Sequence, residues 1–165
     1  MPVTEAEIQV GLVVYLDQQR LQGRRDVWAT LGSRRIKVRP HVCVAVEGDL
    51  SAWTPLTSRW RSERLAISAG WRVGGDRAWR GGRSYLYDGA CVVVGPRAAM
   101  AEASWQHAAP VDLHPAVSPE GCAQILFAVE RARSRRQMGH ALDLRADRIL
   151  GLPVGGGPVW GPRLR

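Results

Sequence analysis

From Val38 to Ser58 the chain reads VRPHVCVAV, EGD, LSAWTPLTS, and this stretch constrains the fold more than any other. PHVCVAV is β-branched and alternates toward a fully apolar, buried strand. Pro40 fits only the beginning of that strand, because it has no N–H to give to a ladder. Glu47-Gly48-Asp49 is a tight turn into a further strand, Ser51 to Leu56, in which Pro55 suggests an edge or a bend. Upstream, DVWATL from Asp26 is short, β-branched and aromatic, and the basic turn GSRRIK joins it to the pair. The reading is a meander of three strands.

Other segments are read by the same rules. Thr4 and Glu7 have the S/T-x-x-E form of a capping box, and Ile8, Leu12, Tyr15 and Leu16 fall near one helical face, so a helix is expected to Leu21, with Gly11 weakening it and Gly23 stopping it. Residues 59–83, rich in Gly, Arg and Trp, read as a long loop or hairpin. SYLYDGACVVVGP reads as two strands around a turn at Asp88-Gly89, the strongest hairpin signal in the chain. Arg97 to Trp105 reads as a helix opened by Pro96. Ser118-Pro119-Glu120 caps and starts another, lasting to about Met138, with Ile125, Leu126, Val129 and Ala132 on its apolar face. His140 to Leu150 adds a short helix, and the Gly- and Pro-rich residues 151–165 form a tail.

With 165 residues, 45% of them hydrophobic, the chain can bury a core without staples. No apolar run approaches a membrane span; the best, Val10 to Leu16, is far too short. Glu5 and Glu7 stand where a secretory signal would be basic, so a cytoplasmic location is expected. Cys43, Cys91 and Cys122 are odd in number and two lie in apolar runs, so they read as reduced core thiols. The formal charge of +8 favours polyanionic partners. Only Lys37 is a lysine, and base composition alone can produce such an arginine bias.

The phosphate-cradling, dinucleotide, zinc-protease and nucleophile-elbow motifs are all absent, and the histidines His41, His107, His114 and His140 show no metal spacing. Trp71, Arg72, Arg77, Trp79, Arg80 and Arg83 mix aromatic faces with guanidiniums, a combination that stacks single-stranded bases and grips phosphates. The alternative is a loop merely anchored by its tryptophans. Arg131, Arg133, Arg135 and Arg136 read first as the solvated end of a helix, which its dipole favours.

Taken in order, GRRDVWATL, GSRRIK, VRPHVCVAV and SAWTPLTSR, within residues 24–59, resemble the PemK/MazF-like toxin family through a basic approach to the first strand, the pair Arg39-Pro40 and the motif Pro55-Leu56-Thr57-Ser58. The resemblance implies an α+β fold: a small SH3-like β-barrel over 24–106, with the N-terminal helix (1–23) and a C-terminal helical segment (107–150) added. It also implies a metal-independent, cofactor-free endoribonuclease acting on single-stranded RNA, a homodimer, and a cognate antitoxin protein as partner. Arg39 would stabilise the phosphorane, and Thr57 with Ser58 would fix the phosphate by hydroxyl donation. Arg25, Arg34, Arg35, Lys37, Arg59, Arg72, Trp79 and Arg80 would hold the RNA. The loop Gly32 to Lys37 lacks a glutamate common in the family, and Glu47-Gly48-Asp49 replaces a turn where asparagine is common. Proton transfer would then fall to Glu47 or Asp49. Two other readings stand beside this one: a non-catalytic SH3-like module binding nucleic acid or a protein through its basic face, and a structural protein with no nucleic-acid affinity.

Overall fold

The computed structural model of the chain describes residues 2–29, 38–89, 91–106 and 114–135. Its elements are β1 (Val13–Asp17), α1 (Gln18–Leu21), β2 (Trp28–Ala29), β3 (Val38–Glu47), β4 (Leu50–Thr57), β5 (Arg72–Val73), α2 (Arg77–Gly81), β6 (Tyr85–Leu86), β7 (Val93–Pro96), α3 (Arg97–Glu102), β8 (Ser104–Trp105), β9 (Ala116–Val117) and α4 (Pro119–Arg135). Single 3-10 turns occupy Glu5–Glu7 and Ala69–Trp71.

The β3–β4 hairpin forms as expected, with Val46 opposite Ser51 and Glu47 opposite Leu50 across the turn. Its apolar side chains divide by the pleat. Val42 and Val44 face α4 with Ile125 and Val129, whereas Cys43 and Trp53 join Met100 of α3 on the other face. The sheet is thus covered on both sides, which explains its near-continuous apolar runs. All three cysteines are buried, and none of them forms a disulfide.

The expected N-terminal helix is overturned. The capping box exists, with Thr4 N–H and Oγ1 donating to Glu7 Oε2 at 2.6 and 2.7 Å, but it closes only one 3-10 turn. Gly11 then takes φ +93°, its N–H donates to the Cys43 carbonyl, and its own carbonyl accepts from Val117. Val13 to Asp17 follow as a strand, pairing Val13 with Val42 through to Asp17 with Val38. A short apolar run suits a buried strand as well as a buried helix, and here the edge of β3 supplied hydrogen bonds that decided it. Helix survives only as the one turn of α1, capped by Asp17.

The meander is also corrected. The main sheet runs β2-β7-β4-β3-β1-β8, all antiparallel, so β7 and β4 lie between β2 and β3. Among the described residues nothing pairs β2 with β8; the sheet is open, not a closed barrel. Residues 104 and 105, expected to end a helix, form β8 instead, because Tyr15 of β1 takes Trp105 as strand partner and stacks on its ring at 6.0 Å.

Asp88-Gly89 does not reverse the chain. β6 and β7 both run along the same edge of β4, pairing Leu86 with Leu56 and Val93 with Trp53, so the two act as one edge strand with a break between them. Pro55 marks the interruption. Tyr87 N–H donates to the Pro55 carbonyl at 2.9 Å, the first half of an antiparallel pair, but proline has no N–H to return. Arg64 Nε donates to the Tyr87 carbonyl instead, at 2.9 Å. Further along, Thr54 Oγ1 donates to the Cys91 carbonyl at 2.9 Å. In the break, a Cβ on Gly89 would stand 2.9 Å from the Ala128 carbonyl oxygen of α4. A local turn does close here, with Cys91 N–H donating to the Asp88 carbonyl at 3.0 Å, but it does not make a hairpin, and the glycine also serves close approach to the helix.

α4 begins as expected, with Ser118 Oγ accepting from Gly121 N–H at 3.2 Å. Among the described residues no helix is long and apolar enough to cross a membrane. The expected short helix at 140–150 and the tail at 151–165 lie outside the described residues.

Candidate active site

Because His41 stands opposite Pro55, the β3–β4 register carried two residues outward brings Arg39 opposite Thr57. Arg39 Nη1 donates to Thr57 Oγ1 at 3.4 Å. The guanidinium lies over the Tyr87 ring, 4.6 Å from its centroid. Among the described residues no carboxylate comes within ion-pair distance of Arg39, so its remaining N–H donors are not spent on a protein anion. Thr57 is buried at the strand end, and its Oγ1 also accepts the Arg59 N–H at 3.2 Å. With both lone pairs engaged, the hydroxyl proton is what Thr57 has to offer a ligand.

Arg39, Thr57 and Ser58 line one open cavity of about 620 Å³, together with Arg59 and Trp79. The cavity lies between the outer ends of β1, β3 and β4 and the start of α2. It also receives Tyr15, Asp76 and Arg83. Asp76 caps α2, accepting the Trp79 N–H at 2.8 Å through Oδ1, which leaves Oδ2 directed elsewhere. Among the described lining residues it is the sole carboxylate, against Arg39, Arg59 and Arg83, so the cavity wall is net cationic.

Behind Arg39 sits His41, fully buried. Its Nδ1 is 2.9 Å from the Arg39 carbonyl, which only accepts, so Nδ1 carries the proton. Nε2 therefore accepts from the Gln18 amide, also at 2.9 Å. Burial, aided by the Arg39 charge, lowers the imidazole pKa from 6.5 to about 4. His41 is a neutral brace for the Arg39 backbone and does not face the cavity. Two residues on, burial pushes the Cys43 thiol up to about 12, which leaves it inert.

The remaining residues expected to bind RNA part company. Arg72 turns inward: Nη1 donates to the carbonyls of Trp79 (2.7 Å) and Gly82, bracing the loop without lining the cavity. Trp79 lines the cavity, but its indole N–H is tied to the Val73 carbonyl at 3.1 Å. Arg25 and Arg80 are exposed and stand outside the cavity lining. Arg34, Arg35 and Lys37 lie outside the described residues. Glu47 and Asp49, the expected proton acceptors, sit at the far end of the hairpin. Glu47 lies eight positions along the strand from Arg39, roughly 25 Å, too far for proton transfer at Arg39.

Asp76 and Tyr87 were not singled out from the sequence. An aspartate before a short helix is legible as a cap, but its place on the cavity wall depends on how residues 59–83 fold back. Among the described residues no three His, Cys, Asp or Glu side chains gather. Comparison with known proteins finds no family model, no curated protein and no solved structure that matches the chain.

Proposed function

We propose that the chain is an endoribonuclease of the PemK/MazF-like toxin type, acting on single-stranded RNA without a metal at the Arg39–Thr57 cavity. One observation carries this reading: Arg39 and Thr57 arrive from neighbouring strands in one open, net cationic cavity, with the guanidinium unclaimed by any described carboxylate. A phosphodiester suits that arrangement. Arg39 offers parallel N–H donors to two non-bridging oxygens, and the Thr57 hydroxyl, with Ser58 beside it, donates to fix the phosphorus in line.

The reaction follows from these groups. The ribose 2′-oxygen attacks the adjacent phosphorus while its proton passes to the Asp76 carboxylate. The bond from phosphorus to the 5′-oxygen breaks, and water protonates the leaving oxygen. A 2′,3′-cyclic phosphate and a 5′-hydroxyl remain. Arg39 neutralises the charge that grows on the equatorial oxygens, where a guanidinium stacked on Tyr87 needs no reorganisation. The finer fold reading, an SH3-like barrel opened between β2 and β8, belongs to the same proposal, as do a homodimer and a cognate antitoxin protein.

The test is incubation of purified protein with a long single-stranded RNA in EDTA, with products resolved on a denaturing gel. Cleavage is expected, reduced about 10²- to 10³-fold by Arg39→Ala, which removes the charge at the phosphorane. Asp76→Asn, which preserves the α2 cap, is expected to slow cleavage without weakening RNA binding. Intact RNA with folded wild-type protein ends the enzymatic reading. Salt-sensitive binding without cleavage would replace it with the non-catalytic module.

A further inference from the structure

Beyond Ser58 and Arg59 on the rim of the Arg39 cavity, the chain passes through Trp60 into a second groove of about 670 Å³. Residues 61–65, residues 87–89 and one face of α4 form its walls. Arg61, Arg64 and Arg131 supply its cations, and Phe127 its aromatic face. Three contacts join it to the first cavity. Arg64 lies over the same Tyr87 ring as Arg39, at 4.8 Å; Arg64 Nη1 donates to the Arg59 carbonyl at 2.8 Å; and Tyr87 forms part of the second wall. Two large aromatic rings are left open to solvent along this path: Trp60 is 66% exposed and Phe127 56%, the latter with the Arg131 guanidinium 5.8 Å from its centroid.

We propose that this second groove is a flanking-nucleotide subsite, so that single-stranded RNA runs from the Arg39 cavity over Trp60 and onto Phe127 and Arg131. This rests on the reading of the first cavity as a phosphodiester site. Exposed rings beside guanidiniums match what a single strand presents, alternating base faces and phosphates. An acidic protein segment matches less well. The groove also holds Glu63 and Asp88, which oppose any polyanion alike, so the rings decide: a peptide carboxylate makes no use of the exposed Trp60 and Phe127. Glu63 is in turn occupied by a hydrogen bond from Ser62 Oγ.

The experiment measures binding of 2′-O-methyl oligonucleotides, which cannot be cleaved, by fluorescence anisotropy in EDTA. A dinucleotide reaches only the Arg39 cavity, whereas an octanucleotide spans both. Wild type is expected to bind the octanucleotide at least tenfold more tightly, and Phe127→Ala/Arg131→Ala to remove about tenfold of that advantage with a shallower salt dependence. Dinucleotide binding and cleavage of a dinucleotide RNA stay unchanged in this variant. Arg39→Ala weakens both lengths. Both substituted side chains are exposed, and circular dichroism checks the fold; Trp60→Ala provides an independent second variant. Equal affinity for the two lengths, or an octanucleotide indifferent to the double variant, overturns the subsite while sparing the cavity. Failure of wild type to bind or cleave either length overturns both. An oligoglutamate peptide that binds wild type and is lost in the double variant, with RNA binding unaffected, assigns the groove to a protein partner.

Discussion

His41 gives the fold a pH dependence whose sign and size follow from its surroundings. The native state holds it neutral with pKa about 4, whereas in the unfolded chain it titrates at the ordinary 6.5. Between those values the unfolded chain carries the extra proton, so stability falls as the solution is acidified. The difference is about 2.5 pKa units, or about 3 kcal/mol, lost progressively from near pH 6.5 down to near pH 4. Structure explains the resistance to protonation. A second ring proton at Nε2 would confront the Gln18 amide, which now donates there, and no described carboxylate is paired with the ring. Urea unfolding at pH 7, 5.5 and 4.5 measures the loss, and His41→Gln isolates it, because glutamine can accept from Gln18 and donate to the Arg39 carbonyl without titrating. Wild type is expected to lose about 2.4 kcal/mol more than His41→Gln between pH 7 and 4.5. Parallel pH profiles, or a His41 ring resonance titrating near 6.5, would refute the reasoning.

Thr57→Val keeps the β-branched shape but strips the acceptor from Arg39 and from the Arg59 N–H. It is expected to destabilise by about 1–3 kcal/mol in urea and to slow RNA cleavage at least tenfold, with Thr57→Ser restoring both. Gly89→Ala would press a Cβ to 2.9 Å from the Ala128 carbonyl and 3.0 Å from the Ala132 methyl. It is expected to cost about 1–3 kcal/mol by urea unfolding, and an unchanged midpoint would mean that α4 does not rest on this segment.

Legibility in the sequence followed the range of the forces involved. The β3–β4 hairpin and the start of α4 were readable because their determinants are local: β-branched alternation about Glu47-Gly48-Asp49 in one case, and the Ser118 cap before Pro119 in the other. Val10 to Leu16 was misread because a short apolar run is ambiguous until a neighbour with free hydrogen-bonding groups is known. That neighbour is β3, more than twenty residues away. Asp88-Gly89 failed for the same reason. Asp-Gly permits a hairpin, but β4 was already waiting to pair with both flanks, and Gly89 was needed against α4.

The site shows the same limit. Arg39 and Thr57 were named together through the family resemblance, not through register: counted from the turn, Arg39 would face Ser58, and the bulge between Cys43 and Ala45 shifts it to Thr57. The pose of the guanidinium was not legible either. It begins with Pro55, whose missing N–H leaves the Tyr87 carbonyl unanswered; Arg64 answers it, and the same residue reaches the Arg59 carbonyl and stacks on the Tyr87 ring. Tyr87 is thereby held at the edge of β4, where its ring also supports Arg39. Each link is ordinary chemistry between residues far apart in sequence. Pro55, which from the sequence alone suggested an edge or a bend, is the residue from which the pose of Arg39 follows. The loop that answers it carries Trp60 and Arg61 toward the second groove, so the same missing hydrogen bond shapes both halves of the proposed RNA path.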